Sequence, residues 1–186
     1  MAEEKQQVQP QMENVSAIEP DITEQMQNRI EKMHELAAKG IAPFGHKFEW
    51  THHAKDVDAQ VEKLEAEGAV VKVCGRLMAI RGHGKTCFMD MMDKTGRLQL
   101  YVRKDVLGEE SYAVVKLLDI GDIVGAEGTV FKTHSGEISV RVSKLDVLSK
   151  SLRPLPEKWH GLKDVEIRYR HRYVDLIVNP EVKETF

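Results

Sequence analysis

The sequence predicts a mainly β domain in which five strands form a barrel and one helix lies between the third and fourth strands. Residues 70–102 contain three short segments in which apolar and polar residues alternate, separated by the turn sequences RGHGK and DKTG. Helical spacing follows at residues 105–118, and alternation returns at residues 123–132 and 137–147. Three strands, a helix and two strands form the order of the OB-fold, whose second and third strands make a face that binds oligonucleotides or oligosaccharides.

Two helices are expected ahead of the barrel. Residues 1–20 are rich in Gln, Glu and Pro without an apolar period, so a disordered tail is predicted there. The first helix begins near Asp21 or Thr23, either of which can cap it, and ends before Gly40. Its apolar stripe contains Ile22, Met26, Ile30, Met33, Leu36 and Ala37. Its basic residues, expected on a solvated face, are Arg29, Lys32 and Lys39. A second helix is predicted over residues 54–67, with Gly68 as its stop.

Alternation assigns each residue of the second and third strands to one of two faces. The residues expected to face the core are Cys87, Met89, Met91, Leu98, Leu100 and Val102. Phe88 and Asp90 then lie on the solvated face, near Gln99 and Tyr101. In an OB-fold this is the ligand face, so an aromatic ring and hydrogen-bonding side chains are expected where oligonucleotides bind.

The exposed aromatic ring has two interpretations. Phe88 can stack on a nucleotide base, with Gln99 reading the base edge and Glu137, which opens the fifth strand, accepting a base N–H. Alternatively, Phe88 pairs with Met78 as a surface hydrophobic pair, because a hairpin centred on His83 places these two residues opposite each other. The residues alone leave both interpretations open.

Several basic residues are candidates for contacts with phosphates. Arg81 and Lys85 lie at the tip of the first hairpin, where a nucleic-acid backbone can pass. Arg76 is expected on the face of Phe88, but with Asp90 as its cross-strand neighbour, so an ion pair is an equally good interpretation. A further basic cluster lies in the predicted helical stretch 164–173 and consists of Arg168, Arg170, His171 and Arg172. Acidic residues are interleaved with this cluster, which favours a salt-bridged helix face.

The bulk composition limits the possible functions. The 186 residues carry a formal net charge of -3, which argues against binding duplex DNA through a broad basic surface. No window is apolar for long enough to span a membrane and the N-terminus is polar, so a cytoplasmic protein is expected. Cys74 and Cys87 have opposite face parity, and neither a disulfide nor a metal site is expected. No arrangement of catalytic residues stands out.

The predicted organisation has four parts. These are a tail at 1–20, a helical segment at 21–67, an OB-fold domain at 68–150, and a linker with the start of another domain at 151–186. Asn179, Pro180 and Glu181 are typical of a helix start, with a cap, a first-turn proline and an acidic side chain. Because the sequence ends at Phe186, about a turn into that helix, we expect a fragment of a longer chain.

Two parts of the sequence resemble a known family. Residues 152–186 read LRPLPEKWHGLKDVEIRYRHRYVDLIVNPEVKETF and resemble the junction between the anticodon-binding and catalytic domains of bacterial-type lysyl-tRNA synthetases. The barrel segments VCGRLMAIRGHGKTCFMDMMDKTGRLQLYV and GDIVGAEGTVFKTHSGEISV resemble the body of the N-terminal OB-fold of that family. The resemblance extends from about Gln27 to the end of the sequence.

The resemblance implies a function for the face of the barrel. In that family the OB-fold binds the tRNA anticodon and recognises its middle uridine. Phe88 then resembles the stacking aromatic, Gln99 and Glu137 the base-reading groups, and Arg81 an arginine that contacts the anticodon loop. Strand alternation, by contrast, does not place Arg81 on the ligand face.

The resemblance also implies what the intact protein does. Lysyl-tRNA synthetases are ligases that activate lysine with ATP and Mg²⁺, charge their tRNA and work as homodimers. Their catalytic domain corresponds to sequence beyond Phe186, so no catalytic residue and no cofactor is expected in this segment. The alternative is a free-standing OB-fold module that binds single-stranded RNA or a partner protein. An oligosaccharide-binding module fits the basic residues around the face less well.

Overall fold

The computed structural model describes residues 23–155 and 165–186, and within them five strands close into a barrel. The strands are β1 (Val70–His83), β2 (Thr86–Met92), β3 (Arg97–Arg103), β4 (Ile123–Lys132) and β5 (Ile138–Ser149). Their order around the barrel is β1-β2-β3-β5-β4, and β3 pairs with β5 in parallel whereas the other pairs are antiparallel. The OB-fold prediction is therefore confirmed.

The core lies inside the barrel, as strand alternation predicts. Every predicted core-facing residue of β2 and β3 is at most 3% exposed, and Met89, Met91, Leu100 and Val102 are fully buried. Val140 and Val142 of β5 complete this interior. Burial of these side chains leaves the alternate residues of the same strands on the outer face, where the candidate site lies.

The helices before the barrel are α1 (Glu24–Ala38), α2 (Ala54–Ala59) and α3 (Val61–Glu67). Thr23 caps α1 by accepting a hydrogen bond from the backbone N–H of Met26 at 3.4 Å. The predicted second helix is divided at Gln60, and it ends as expected at Gly68, whose φ is 60°. The predicted tail and the alternative cap Asp21 lie outside the described residues.

The basic face of α1 is not simply solvated, so that expectation is wrong. Arg29 Nη1 donates to the carbonyl oxygens of Ile120 at 3.0 Å and Ser151 at 2.9 Å. Lys32 Nζ lies 2.6 Å from a carboxylate oxygen of Asp119. These contacts attach α1 to the barrel, whereas Lys39 is exposed.

The helical connection between β3 and β4 consists of α4 (Lys104–Leu107) and α5 (Glu109–Val115). A single helix over residues 105–118 was predicted, but Gly108 has a φ of 88° and separates the two. Glycine reaches this backbone conformation without steric penalty, which allows the sharp change of direction.

The register of the first hairpin differs from the prediction. His83 pairs with Thr86, so the turn consists of Gly84 and Lys85, and a bulge inserts Met78 into β1. The shift places Arg81 opposite Phe88. The predicted pairs of Phe88 with Met78 and of Asp90 with Arg76 are therefore wrong.

Residues 165–186 form three short helices, namely α6 (Val165–Arg170), α7 (Arg172–Val178) and α8 (Pro180–Thr185). The carboxylate of Asp175 is buried and accepts from Arg168 Nε at 3.0 Å and Arg172 Nη1 at 2.9 Å. This is the salt-bridged arrangement that the interleaved charges predict. Asn179 stands at the cap position of α8, but its side chain donates to Asp175 at 2.6 Å instead of capping.

Across the described ranges, no helix is long and apolar enough to cross a membrane. The same residues contain no group of His, Cys, Asp and Glu side chains arranged to hold a metal ion.

Candidate nucleic-acid interface

The outer face of β2, β3 and β5 presents its side chains in rows, because strand pairing aligns residues from one strand to the next. One row contains Asp90, Gln99 and Ser139. The next row contains Phe88, Tyr101 and Arg141. The first row is polar and the second is aromatic and basic, so the face offers hydrogen-bonding groups beside a stacking surface.

Phe88 belongs to an aromatic group on this face. Its ring centroid lies 4.8 Å from that of Tyr101, with the planes tilted by 31°. Tyr101 in turn lies 5.7 Å from Phe131 of β4. Phe88 is half-buried, and its hydrophobic partner is Tyr101 instead of the predicted Met78. The ring is supported by Tyr101 and remains partly exposed, as a base-stacking platform requires.

Gln99 is held in one orientation by its neighbour. The residue is 9% exposed, and its Oε1 accepts a hydrogen bond from Ser139 Oγ at 2.8 Å. Since the oxygen is used in this way, the amide nitrogen Nε2 is the group left for a ligand, and it has no hydrogen bond to another described residue. Gln99 therefore presents a fixed N–H donor beside the aromatic group.

Asp90 is buried at 3% exposure, although alternation predicts a solvated position. Arg81 makes a two-pronged contact with its carboxylate, at 3.0 and 2.9 Å, and Arg97 Nη2 approaches it to 3.2 Å. Arg97 Nη2 also lies 3.4 Å from Glu137 Oε1. We call Arg81, Asp90, Arg97 and Glu137 the face cluster.

The bulge at Met78 explains why Arg81 belongs to the face cluster. Before the bulge the even-numbered residues of β1 face outward, and after it the odd-numbered residues do. Alternation across an unbroken strand cannot show this change. Arg97 was not a predicted site residue, although its alternation with Gln99 already assigned it to this face.

Glu137 lies directly before β5 and borders a cleft. Its backbone N–H donates to Thr133 Oγ1 at 3.0 Å, and its side chain is 46% exposed. Glu137 and Gln99 both line a cleft of about 390 Å³ between α2, the β2–β3 turn and the β4–β5 loop. An extruded base can enter a concave space of this kind, where donor and acceptor groups lie side by side.

The β2–β3 turn that forms one wall of the cleft is fixed by Asp93. Burial alone raises the pKa of this carboxyl, but hydrogen bonds from the backbone of Ala54, Thr95 and Gly96 and from the Thr95 hydroxyl lower it overall. The carboxylate is therefore charged at neutral pH and holds the turn against α2.

The two remaining predicted cations lie farther from this site. Lys85 is exposed in the first hairpin turn, and its carbonyl accepts from the backbone N–H of Lys104 at 2.9 Å. Arg76 pairs with Met92 at the other end of the face and donates to the carbonyl of Gly121 at 2.7 Å. It lines a separate cleft toward α7 and α8, so it does not join Phe88 and Gln99.

Comparison with known proteins shows which proteins this chain is similar to. Residues 71–148 match the tRNA anti-codon family, which is described as an OB-fold nucleic acid binding domain. The chain is 58% identical over 158 residues to a lysine–tRNA ligase of Moorella thermoacetica, which is 85% of this chain and 32% of that relative. It is 52% identical over all 186 residues to a lysine–tRNA ligase of Pelotomaculum thermopropionicum. The chain belongs to the lysyl-tRNA synthetase family.

The extent of the match locates the chain within that family. It spans about a third of the length of the relatives, for example 36% of the Pelotomaculum protein. It corresponds to their N-terminal anticodon-binding region, as the resemblance implied. The similarity includes α6, α7 and α8 as well as the barrel, which does not favour a free-standing OB-fold module.

Proposed function

We propose that the outer face of β2, β3 and β5 binds the anticodon of a lysine tRNA as part of a lysine–tRNA ligase. The whole protein then activates lysine with ATP and Mg²⁺ and transfers it to tRNA, as a cytoplasmic homodimer. Support for this comes from the family match and from the relatives, which are lysine–tRNA ligases.

The orientation of Gln99 beside the Phe88–Tyr101 pair is the observation that carries the proposal. The Ser139 hydrogen bond to Oε1 leaves Nε2 to donate to a carbonyl oxygen of uracil. A base stacked on Phe88 can reach this donor, and Glu137 can accept from the uracil N3–H. With Glu137 opposite N3, the pair favours uracil over cytosine, because N3 of uracil carries a hydrogen to donate whereas N3 of cytosine is an unprotonated acceptor.

The basic residues supply contacts with the backbone. Arg81 is held by Asp90 but remains about half exposed, at 55%, so it can approach a phosphate beside the stacked base. Lys85 lies in the exposed hairpin turn, where it can contact a neighbouring phosphate. Arg76 is not included in the proposed site because its guanidinium donates to Gly121.

In this proposal, anticodon binding contributes to catalysis by positioning the tRNA. Holding the anticodon fixes the orientation of the tRNA, which lowers the entropic cost of presenting its acceptor end to a distant catalytic domain. In this proposal the described segment supplies recognition and the remainder of the protein supplies the chemistry.

Substitution of Phe88 tests the stacking contact. Phe88→Ala is expected to weaken binding of a UUU-containing anticodon stem-loop by roughly 1–3 kcal/mol, measured by fluorescence titration at fixed salt. Phe186→Ala is the matched control, because Phe186 is 80% exposed and lies outside the face. Equal affinities of wild type and Phe88→Ala would remove Phe88 from the site.

Substitution of Gln99 tests base reading. Gln99→Glu replaces the amide donor with an acceptor, so we expect the preference for uridine over cytidine at the middle anticodon position to fall by roughly 1–3 kcal/mol. The measurement compares stem-loops with UUU and UCU anticodons on each protein. An unchanged ratio of the two affinities would show that Gln99 does not read this base.

A further inference from the structure

Arg97 and Glu137 lie side by side because β3 and β5 run in parallel. Gln99 of β3 pairs with Ser139 of β5, so the residues two positions earlier in the chain also become neighbours. Arg97 Nη2 donates to Glu137 Oε1 at 3.4 Å. Arg97, Gln99 and Glu137 all line the cleft of about 390 Å³, so this second cross-strand pair borders the space in which the proposed function places the base.

The two cross-strand pairs hold their base-reading groups in the same way. In the first pair, Ser139 engages Oε1 of Gln99 and leaves Nε2 as a donor. In the second pair, Arg97 engages Oε1 of Glu137, whereas Oε2 has no hydrogen bond to another described residue. A carboxylate oxygen accepts hydrogen bonds, so Oε2 remains as an acceptor for a ligand. The donor and the acceptor thus come from adjacent pairs on the same two strands.

Arg97 is itself held by a buried group. Its Nη2 lies 3.2 Å from Oδ1 of Asp90, which is 3% exposed and is also contacted twice by Arg81. Among the described residues, Arg97 is the only polar partner of the Glu137 carboxylate. Without that contact a glutamate at 46% exposure samples several rotamers. Holding it in one orientation before RNA arrives lowers the entropic cost of binding.

We propose that Arg97 is a positioning residue for uridine recognition, which holds Glu137 so that its free carboxylate oxygen accepts the N3–H of the middle base. Arg97 then contributes to the choice between uracil and cytosine without touching the base. This inference rests on the proposed function, because it takes Glu137 as a reader of the anticodon. The alternative is a direct contact between Arg97 and an RNA phosphate, which would not depend on the base.

Substitution of Arg97 tests its effect on base preference. Arg97→Met removes the N–H donors, while Arg81 keeps both contacts with Asp90, so the buried carboxylate stays paired. We expect the ratio of the affinities for the UUU and UCU stem-loops to fall roughly 2- to 5-fold, the range of an exposed ion pair. Arg103→Met is the matched control and is expected to keep the wild-type ratio, because Arg103 lies on the same strand but contacts Asp105 and does not line the cleft.

A double-substitution cycle tests whether Arg97 acts through Glu137. Glu137→Ala alone is expected to lower the same ratio roughly 5- to 150-fold, because the N3–H of uracil loses its acceptor. In the Glu137→Ala protein, Arg97→Met is expected to lower the ratio no further. Thermal denaturation reports whether each variant is folded. Arg97→Gln, which keeps a polar side chain beside Asp90, replaces Arg97→Met where the latter is not folded.

The two proposals fail under different results. If Glu137→Ala lowers the ratio but Arg97→Met does not, or lowers it further in the Glu137→Ala protein, Arg97 does not position Glu137 and the anticodon-binding function stands. Equal losses of affinity for both stem-loops, with a salt slope of log K reduced by about 0.7, would identify a phosphate contact instead. An unchanged ratio in Glu137→Ala removes Glu137 from base reading and overturns the role of Arg97. If the wild-type chain does not bind the stem-loops, or binds them independently of Phe88, the proposed function itself fails.

Discussion

Two clusters of charged residues in this molecule both combine carboxylates with basic side chains, but they serve different purposes. In the face cluster, buried Asp90 contacts Arg81 and Arg97, whose side chains are 55% and 49% exposed. The second group, which we call the end cluster, consists of Lys32, Asp119, Asp122 and Lys150. There Lys150 Nζ lies 2.5 Å from Asp119 and 2.8 Å from Asp122, and the side chains of Lys150 and Asp122 have no exposed surface.

The basic side chains of the two clusters differ in exposure, and this difference separates a cluster that can contact a ligand from one that stabilises the fold. In the end cluster the ammonium of Lys150 is fully buried and bound by two carboxylates, so it is not available to a ligand. Through Lys32 and Lys150 this cluster joins α1 to the beginning of β4 and the end of β5. In the face cluster the buried carboxylate orients two arginines, and their outer N–H groups stay accessible to solvent. The end cluster stabilises the barrel, whereas the face cluster orients exposed arginine side chains for binding.

Removing the ammonium of Lys150 is expected to give the largest effect. Lys150→Met leaves the carboxylate of Asp122 buried without its counter-charge, which costs about 3–5 kcal/mol in the free energy of unfolding. Urea denaturation measures this loss. Lys144→Met is the control, because Lys144 is 61% exposed on the same strand and is expected to change stability by less than about 1 kcal/mol. Equal losses in the two variants would remove the distinction between a buried and an exposed pair.

The corresponding change in the face cluster is expected to cost less stability and more binding. Asp90→Asn removes the carboxylate that orients Arg81 and Arg97, but both guanidiniums can turn toward water, so we expect a loss of about 1–2 kcal/mol in unfolding free energy. Stem-loop affinity is expected to fall because the arginines are no longer held beside Gln99. If affinity rises instead, Asp90 acts only by repelling phosphates and does not position the arginines.

Strand alternation predicted those parts of the face that depend on local sequence alone. The core side of β2 and β3, and the placement of Phe88 beside Gln99, follow from a period of two residues. The bulge at Met78 was not predictable in this way, since one inserted residue reverses the faces of the rest of β1. For this reason Arg81 was assigned away from the face that it occupies.

The end cluster was missed for a different reason. Lys32 and Asp119 are 87 residues apart in the sequence, and Arg29 donates to a carbonyl 122 residues away. A charge on a helix is consistent with solvent until the tertiary structure brings a partner to it. Nothing in the local sequence distinguishes an Arg29 or Lys32 exposed to solvent from one that contacts the barrel, so both outcomes were consistent with it. Similarly, the burial of Asp90 depends on two arginines from neighbouring strands.

Acid titration of the end cluster is expected to give the smallest effect. Burial alone raises the pKa of Asp119, but hydrogen bonds from Lys150 and Lys32 and the attraction of both ammonium groups lower it overall. Because the folded-state pKa is below the unfolded value of about 3.9, the unfolded chain binds the proton first as pH falls. The stabilising contribution of Asp119 is therefore complete at neutral pH and is lost progressively below about pH 4.

Asp119→Asn lacks this contribution, so its unfolding free energy, measured in urea from pH 7 to pH 3, is expected to fall less steeply below pH 4 than that of wild type. Asp93 and Asp175 also have lowered pKa values, but both proteins contain them and their contributions cancel in the difference. Parallel curves for the two proteins would mean that Lys150 is balanced by Asp122 alone, and that Asp119 does not belong to the end cluster.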